Sequence, residues 1–337
     1  MAARITPFGT SAAGAAVEAV TLRAGELTAR LLTYGATLQD LRLAGTPWPL
    51  CLGSDRLGAY EGPLAWCGAV VGPVANRIGG AAAVVGGRLW QMAANDGPNV
   101  LHSGPESSAR RVWQIAEADA AEASFELPLP HGACGLPGNR LLRARYRLLP
   151  PATLEITLSA HSDAETLMNL ASHPYWNLDG TATTEGHLLS VAASSVLPTD
   201  ARNLPQPPQP VLGTGYDLRR PRPLAGLPPI DHNFCLDGSG LRPAARLAGA
   251  RGVTLTLETD APGLQVYDGR ALNTAPFLGL SGAPYTPHAG VALEPQMWPD
   301  APAHADFPSI TLAPRVEWTQ RTRLHFQRLA QDKADRA

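Results

Sequence analysis

The sequence predicts an all-β fold, one large antiparallel β-sandwich, and three observations predict it. Apolar and polar residues alternate with period two over many short runs, the pattern of strands with one buried face. Turn formers are dense, with 33 glycines and 32 prolines in a chain of 337 residues, and they fall between those runs. No helical period persists for long ahead of the C-terminal tail.

Taken in chain order, the alternation predicts strands over residues 17–23, 27–33 and 37–43, then over 111–116. The run 143–148 reads Arg-Ala-Arg-Tyr-Arg-Leu and is a strand of the same kind. Residues 153–159 give the clearest run, with Leu154, Ile156 and Leu158 on one face and polar groups on the other. Residues 253–258 and 318–326 complete the set. Pro137-Gly138-Asn139 and Asp237-Gly238 mark turns between strands. The proline-rich stretch 204–210 is expected to be a surface loop rather than a linker, because strand-like sequence continues on both sides. The polar tail from 321 to 337 is expected to fray at its end. Residues 1–337 are therefore read as a single domain.

Composition bounds the function. A hydrophobic fraction of 45% excludes a disordered chain, and a net charge of -2 lacks the basic surface of a nucleic-acid binder. No apolar stretch is long enough to span a membrane, and the first 20 residues do not read as a signal peptide. Cys51, Cys67, Cys134 and Cys235 form no Cys-x-x-Cys pair and no disulfide framework, so free thiols in a reducing cytoplasm are expected. Lys333 is the only lysine and sits in the polar tail, which argues against Schiff-base chemistry. The histidines are dispersed, with no metal-ligand spacing, and no glycine-rich nucleotide loop occurs. No metal or cofactor is expected.

Five polar clusters lie among apolar or aromatic residues: Asn76-Arg77, His102, His173, Asp231-His232-Asn233 and Glu294. Glu294 is the sharpest. It follows the apolar run Val291-Ala292-Leu293 and precedes Pro295, where the strand is expected to end. Burial there would raise its pKa and suit it to act as a base. His173 stands beside Pro174, Tyr175 and Trp176, and aromatic faces with a titratable imidazole suit sugar recognition. Each cluster alone has a plainer reading: a strand-end glutamate paired with an arginine, a hydrogen-bonded core histidine, a turn histidine, a structural ion pair for Arg77, or a capping aspartate at 231.

Together, and in this order, the clusters resemble the aldose 1-epimerase (galactose mutarotase) family. Val71-Gly72-Pro73-Val74-Ala75-Asn76-Arg77-Ile78 resembles that family's Gly-Arg-x-x-Asn-Arg-Ile segment, with Pro73 in place of the first arginine. Residues 99–104 resemble Asn-x-Leu-His-Gly-Gly, with Ser103 for the first glycine. Residues 169–178 resemble Asn-x-x-x-His-x-Tyr-(Phe/Trp)-Asn-Leu, and Asp231-His232-Asn233-Phe234 resembles Asp-His-Asn-(Phe/Tyr). Leu293-Glu294-Pro295-Gln296 with Pro299-Asp300-Ala301 resembles the glutamate segment. Residues 264–270 are less faithful. Gln265 and Tyr267 remain, while Asp268 and Arg270 stand for Thr and Asn.

The resemblance implies a β-supersandwich with its site in a broad cleft on one sheet. It implies Glu294 as general base and His173 as general acid, with Asn76, Arg77, His102, Asp231 and Gln265 binding a monosaccharide. It implies no cofactor, no nucleic acid and no membrane, in a monomer or homodimer. Three rivals stand beside it. One is a glycosidase using Glu294 and Asp231. Another is a non-catalytic carbohydrate-binding protein on the same scaffold. The third is a hexose-6-phosphate 1-epimerase, whose phosphate would need Arg219, Arg220 and Arg222 or Arg110 and Arg111.

Overall fold

The computed structural model describes residues 3–329. Strand accounts for 46% of it and helix for 6%, so the all-β expectation holds. Every pairing between its named strands is antiparallel. Among the described residues no helix is long and apolar enough to cross a membrane.

Three sheets carry the architecture. The first four strands, Arg4–Thr10, Ala16–Ala24, Leu27–Leu32 and Thr37–Leu43, form a meander. A nine-stranded sheet runs from Gln114–Ala118 at one edge, through Arg140–Leu149, Thr153–Ser162 and Trp318–Arg328, to Arg222–Pro223 at the other. A six-stranded sheet has the order Tyr175–Trp176, Val291–Gln296, Gly263–Tyr267, Asp231–Leu236, Ala193–Leu197, Gln209–Pro210.

Alternation explains how the sheets stack. Leu154, Ile156 and Leu158 are buried in one core with Leu22 and Leu31 of the meander and Val291 and Leu293 of the six-stranded sheet. Specific contacts tie the layers. Tyr146 Oη donates to Ala36 O at 2.7 Å, and Gln320 Nε2 donates to Pro295 O at 2.9 Å. The Trp176 and Phe326 rings lie 5.6 Å apart.

The polar face of Thr153–Ser162 is not left to water either. Arg323 Nε donates to Glu155 Oε2 at 2.8 Å, and Thr153 meets His325 Nδ1 at 2.9 Å. A strand in the middle of a sheet is flanked by long side chains on both sides, which cover it.

Three expected boundaries move for identifiable reasons. Strand Gln114–Ala118 begins three residues later than expected, because Trp113 leaves the ladder: its N–H bonds Thr33 O and its indole donates to Ser108 O. Strand Val291–Gln296 runs past Pro295, where Leu264 still pairs opposite on one flank while strand Tyr175–Trp176 has ended on the other. Residues 321–328 belong to strand Trp318–Arg328, held between Thr153–Ser162 and Val253–Thr259. The tail end and Lys333 lie outside the described residues. The 204–210 segment is a surface loop as expected, anchored by buried Leu204 and ending in the edge strand Gln209–Pro210.

Candidate active site

One face of the six-stranded sheet packs on the core, and the other floors an open cleft of about 480 Å³. Period two decides which residues face it. Leu293 enters the core while Ala292 and Glu294 point the other way, and Val266 enters the core while Gln265 and Tyr267 face the cleft. Register then sets neighbours: Gln265 lies opposite Glu294, and Asp231 opposite Tyr267. Gln265 Nε2 donates to Asp231 Oδ1 at 2.7 Å.

His173 arrives from a neighbouring segment. Strand Ala171–Ser172 pairs with Val70–Val71, and the pairing continues one residue further: His173 N donates to Ala69 O at 3.0 Å, and Gly68 N donates to His173 O at 2.8 Å. Gly68 has φ +73, and a Cβ there would lie 2.2 Å from Leu38 O, so only glycine fits this junction. His173 Nε2 comes to rest 3.4 Å from Glu294 Oε1, both side chains almost fully buried, at 6% and 2% exposure. The His173 ring stacks on Tyr175, centroids 5.1 Å apart, and meets His102 edge-on at 5.4 Å.

Arg77 and His102 form the opposite wall. Arg77 Nε donates to Asp96 Oδ2 at 2.6 Å, so the structural ion pair and a place in the cleft coexist in one residue. His102 Nδ1 accepts from the Asn76 backbone N–H at 3.1 Å. Asn76 Oδ1 accepts from Arg77 N at 2.9 Å. All seven sequence-predicted residues, Asn76, Arg77, His102, His173, Asp231, Gln265 and Glu294, line the same cleft.

Sequence reasoning missed Trp66 and Tyr267 as cleft walls and Asp96 as the partner of Arg77. Of the aromatics beside His173 that it linked to sugar recognition, Tyr175 lines the cleft, while Trp176 is buried in the core. Tyr267 had a signal, since it stands two residues after Gln265 on one strand, hence on the same face. Trp66 and Asp96 sit in loops, where no period points the way. Trp66 packs on His102 with ring centroids 5.1 Å apart, and the exposed Arg110 lies over its ring at 5.1 Å. Arg219, Arg220 and Arg222 line a separate hollow that shares no residue with the cleft.

Burial dominates the electrostatics. It pushes Glu294 well above the ordinary carboxyl range, and the nearby Asp231 charge adds to the rise against the opposing pull of Arg77. Burial pulls His173 down to about 4 and His102 well below its ordinary value. Both effects favour the neutral forms, a protonated Glu294 beside a neutral His173, which leaves one proton between the pair. Glu294 Oε2 and Gln265 Oε1 have no partner within the protein, as expected of groups aimed at a ligand.

His102, His173 and Glu294 offer atoms within 4.8 Å of one another, a spacing that would admit a metal ion. Neutral His102 does not suit one. Its Nδ1 lone pair is taken by the Asn76 N–H, so Nε2 carries the hydrogen and neither nitrogen is free. All four cysteines are buried and unpaired.

A layered antiparallel sandwich with an imidazole–carboxyl pair on the floor of an open, polar cleft defines a class of sandwich proteins that work by moving protons. The chain belongs to the aldose 1-epimerase family: residues 18–325 match the family profile described as Aldose 1-epimerase. It is 33% identical to galactose mutarotase of Bos taurus, over 95% of this chain and 97% of that one. It is 32% identical to aldose 1-epimerase of Escherichia coli K12, over 88% and 91%. Among solved structures, a GalM/aldose epimerase homologue from C. elegans superposes with a TM-score of 0.86 at 28% identity, covering 92% of this chain and 99% of that one. Galactose 1-epimerase from Lactobacillus acidophilus gives 0.84 at 27%, covering 97% and 98%.

Proposed function

We infer that this chain is an aldose 1-epimerase, interconverting the α and β anomers of free aldohexoses such as galactose or glucose by ring opening and reclosure. One observation carries the reading: an acid and a base lie side by side, His173 Nε2 and Glu294 Oε1 at 3.4 Å, on the floor of a sugar-sized cleft. The two oxygens that must exchange protons, O1 and O5, are both bonded to C1. Only neighbouring groups can serve both at once. A glycosidase instead needs two carboxyls flanking the bond to a leaving group. Asp231, the other candidate carboxyl, is engaged by Gln265.

The reaction runs from the state with the shared proton on His173. Glu294, as carboxylate, takes the O1 proton while His173 gives its proton to O5. The C1–O5 bond breaks with its electrons going to O5, and C1=O1 forms. The open-chain aldehyde rotates about C1–C2, and both transfers reverse as O5 adds to the other face. After opening, Glu294 is protonated and His173 neutral, the pair that burial favours, so burial lowers the cost of the intermediate. Arg77, His102, Asp231 and Gln265 hold the sugar hydroxyls, with His102 donating near the ring oxygen.

The test is polarimetric decay of freshly dissolved α-galactose, corrected for spontaneous mutarotation. Glu294→Gln and His173→Asn, each folded by circular dichroism, lose at least about 10²-fold in rate, and the double variant is little worse than the poorer single one. Near-normal turnover in a folded Glu294→Gln protein would place the base elsewhere.

A further inference from the structure

Two residues beside the acid–base pair hold backbone conformations that side chains rarely adopt. Asn76 has φ 62 and His102 φ 50, both in the left-handed region. They face each other just past the paired strands Arg77–Ile78 and Val100–Leu101 and bond reciprocally. His102 N donates to Asn76 O at 2.9 Å, and Asn76 N donates to His102 Nδ1 at 3.1 Å. Ser103, at φ 64, closes the same clip by taking Val74 N on its hydroxyl at 2.8 Å.

A backbone N–H can only donate. The Nδ1 it meets must present a lone pair, so the neutral ring carries its hydrogen on Nε2. A ring so fixed offers the cleft a donor and nothing else. The other tautomer would set two hydrogens against each other at Nδ1 and turn a lone pair toward the sugar. Burial, which holds His102 neutral, leaves the choice of tautomer to this one contact.

The contact depends on the left-handed turn at residue 76, which aims the N–H back at the ring. Asparagine tolerates that turn because its short side chain bonds locally, here through Oδ1 to Arg77 N at 2.9 Å. The amide oxygen is thus spent on the backbone.

We infer that Asn76 is a positioning residue as well as a cleft residue: its left-handed backbone fixes His102 as the Nε2–H tautomer that can only donate into the cleft. The kinetic consequence rests on the aldose 1-epimerase reading. The tautomer itself does not, so the two can fail separately.

The experiment compares three substitutions by two readouts. Long-range proton–nitrogen correlation spectra of the imidazoles, assigned with His102→Gln, report the tautomer of His102 at neutral pH. Polarimetry reports kcat/KM. Glycine and aspartate both accept positive φ, so Asn76→Gly and Asn76→Asp keep Nδ1 bare and Nε2 protonated, whatever the loss of the cleft-lining amide costs in kcat/KM. Asn76→Ala, which resists positive φ, gives a mixed tautomer and loses about tenfold or more.

A wild-type His102 protonated on Nδ1 would overturn the inference whatever the activity. Equal losses in Asn76→Gly, Asn76→Asp and Asn76→Ala, with the tautomer unmoved, would overturn it in favour of an amide that touches the sugar. Should Asn76→Ala fail to fold, Asn76→Gly still decides, since it removes the amide and keeps the turn. A correct tautomer in a protein that turns over no aldose would sustain the clip and sink the function reading instead.

Discussion

At the scale of the residue, Glu294 and His173, the proposed base and acid, give up stability for that chemistry. Charging either one at its buried position costs free energy, which is why burial moves them in opposite directions. Glu294 is the simpler case for linkage. Its folded pKa is raised above the ordinary 4.5, so its contribution to stability is full below that value and is lost as pH rises. Glutamine carries no charge to desolvate. Glu294→Gln therefore has a higher Tm than the parent at neutral pH, and the gain shrinks toward nothing near pH 4.5 and below. Paired thermal melts across that range check it. A lower Tm at neutral pH would show that the buried charge is already stabilised by an ion pair in the resting protein.

The same pair sets the pH dependence of turnover. The proposed mechanism needs one proton between the two groups. With ordinary values of 4.5 for the carboxyl and 6.5 for the imidazole, that state would be confined to the interval between them. Burial moves both limits. The second proton adds only near the depressed His173 value of about 4, and the remaining proton leaves only above the ordinary carboxyl range. The expected kcat/KM profile is a bell whose acid limb falls near 4 and whose alkaline limb lies above the ordinary carboxyl range. Limbs at the unperturbed values would mean that water reaches the pair freely.

At the scale of the element, the site is assembled by register. Strand Val291–Gln296 supplies Glu294, the proposed base, and Gly263–Tyr267 its neighbour Gln265, while His173 is delivered by the short pairing with residues 69–71. Gly68 is the joint of that delivery, since its N–H holds His173 O and its carbonyl receives Leu38 N at 2.9 Å. Gly68→Ala meets both a positive φ and a Cβ overlapping Leu38 O. It should destabilise the protein by at least about 1 kcal/mol and lower kcat by moving His173 off the base. Denaturant melts and polarimetry on the same sample measure both. Unchanged kcat with reduced stability would show that His173 is positioned by its ring contacts alone.

What could be read in advance follows the same logic. The strands with strict alternation, such as Leu154-Ile156-Leu158, announced themselves because one face must be apolar. Six of the seven site residues stood out as polar intrusions among apolar or aromatic residues, but only their order, resembling the aldose 1-epimerase pattern, joined them into one site and added Gln265. Residues whose place depends on long-range contacts were silent. Trp113 leaves its strand for Thr33, eighty residues earlier in the chain, and Asp96 finds Arg77 from a loop. Pro295 misled for a related reason: a proline ends a strand only where a ladder bond is needed, and one flank there has no paired strand.

At the scale of the whole molecule, the sheets share one interior. The main apolar core runs from Val20 in the N-terminal meander, through Phe125, Tyr146 and Leu293, to Phe326 in the last strand described. Residues far apart in sequence therefore lose their burial together. The cleft lies on the outer face of the six-stranded sheet, with Pro63, Trp66, Asn76, Arg77, Leu101 and His102 forming one wall and strands of that sheet the floor. The meander braces the first of these through Leu38 and Gly68. We propose that the described chain is a single cooperative domain, because its main core draws residues from all three large sheets. Calorimetry should then show one unfolding peak, and mutarotase activity should decay along the same curve as the near-ultraviolet signal. Two resolved peaks would divide the molecule, and so would limited proteolysis that released residues 3–43 from a folded, active remainder. Either result would mean that the meander braces the site without sharing its stability.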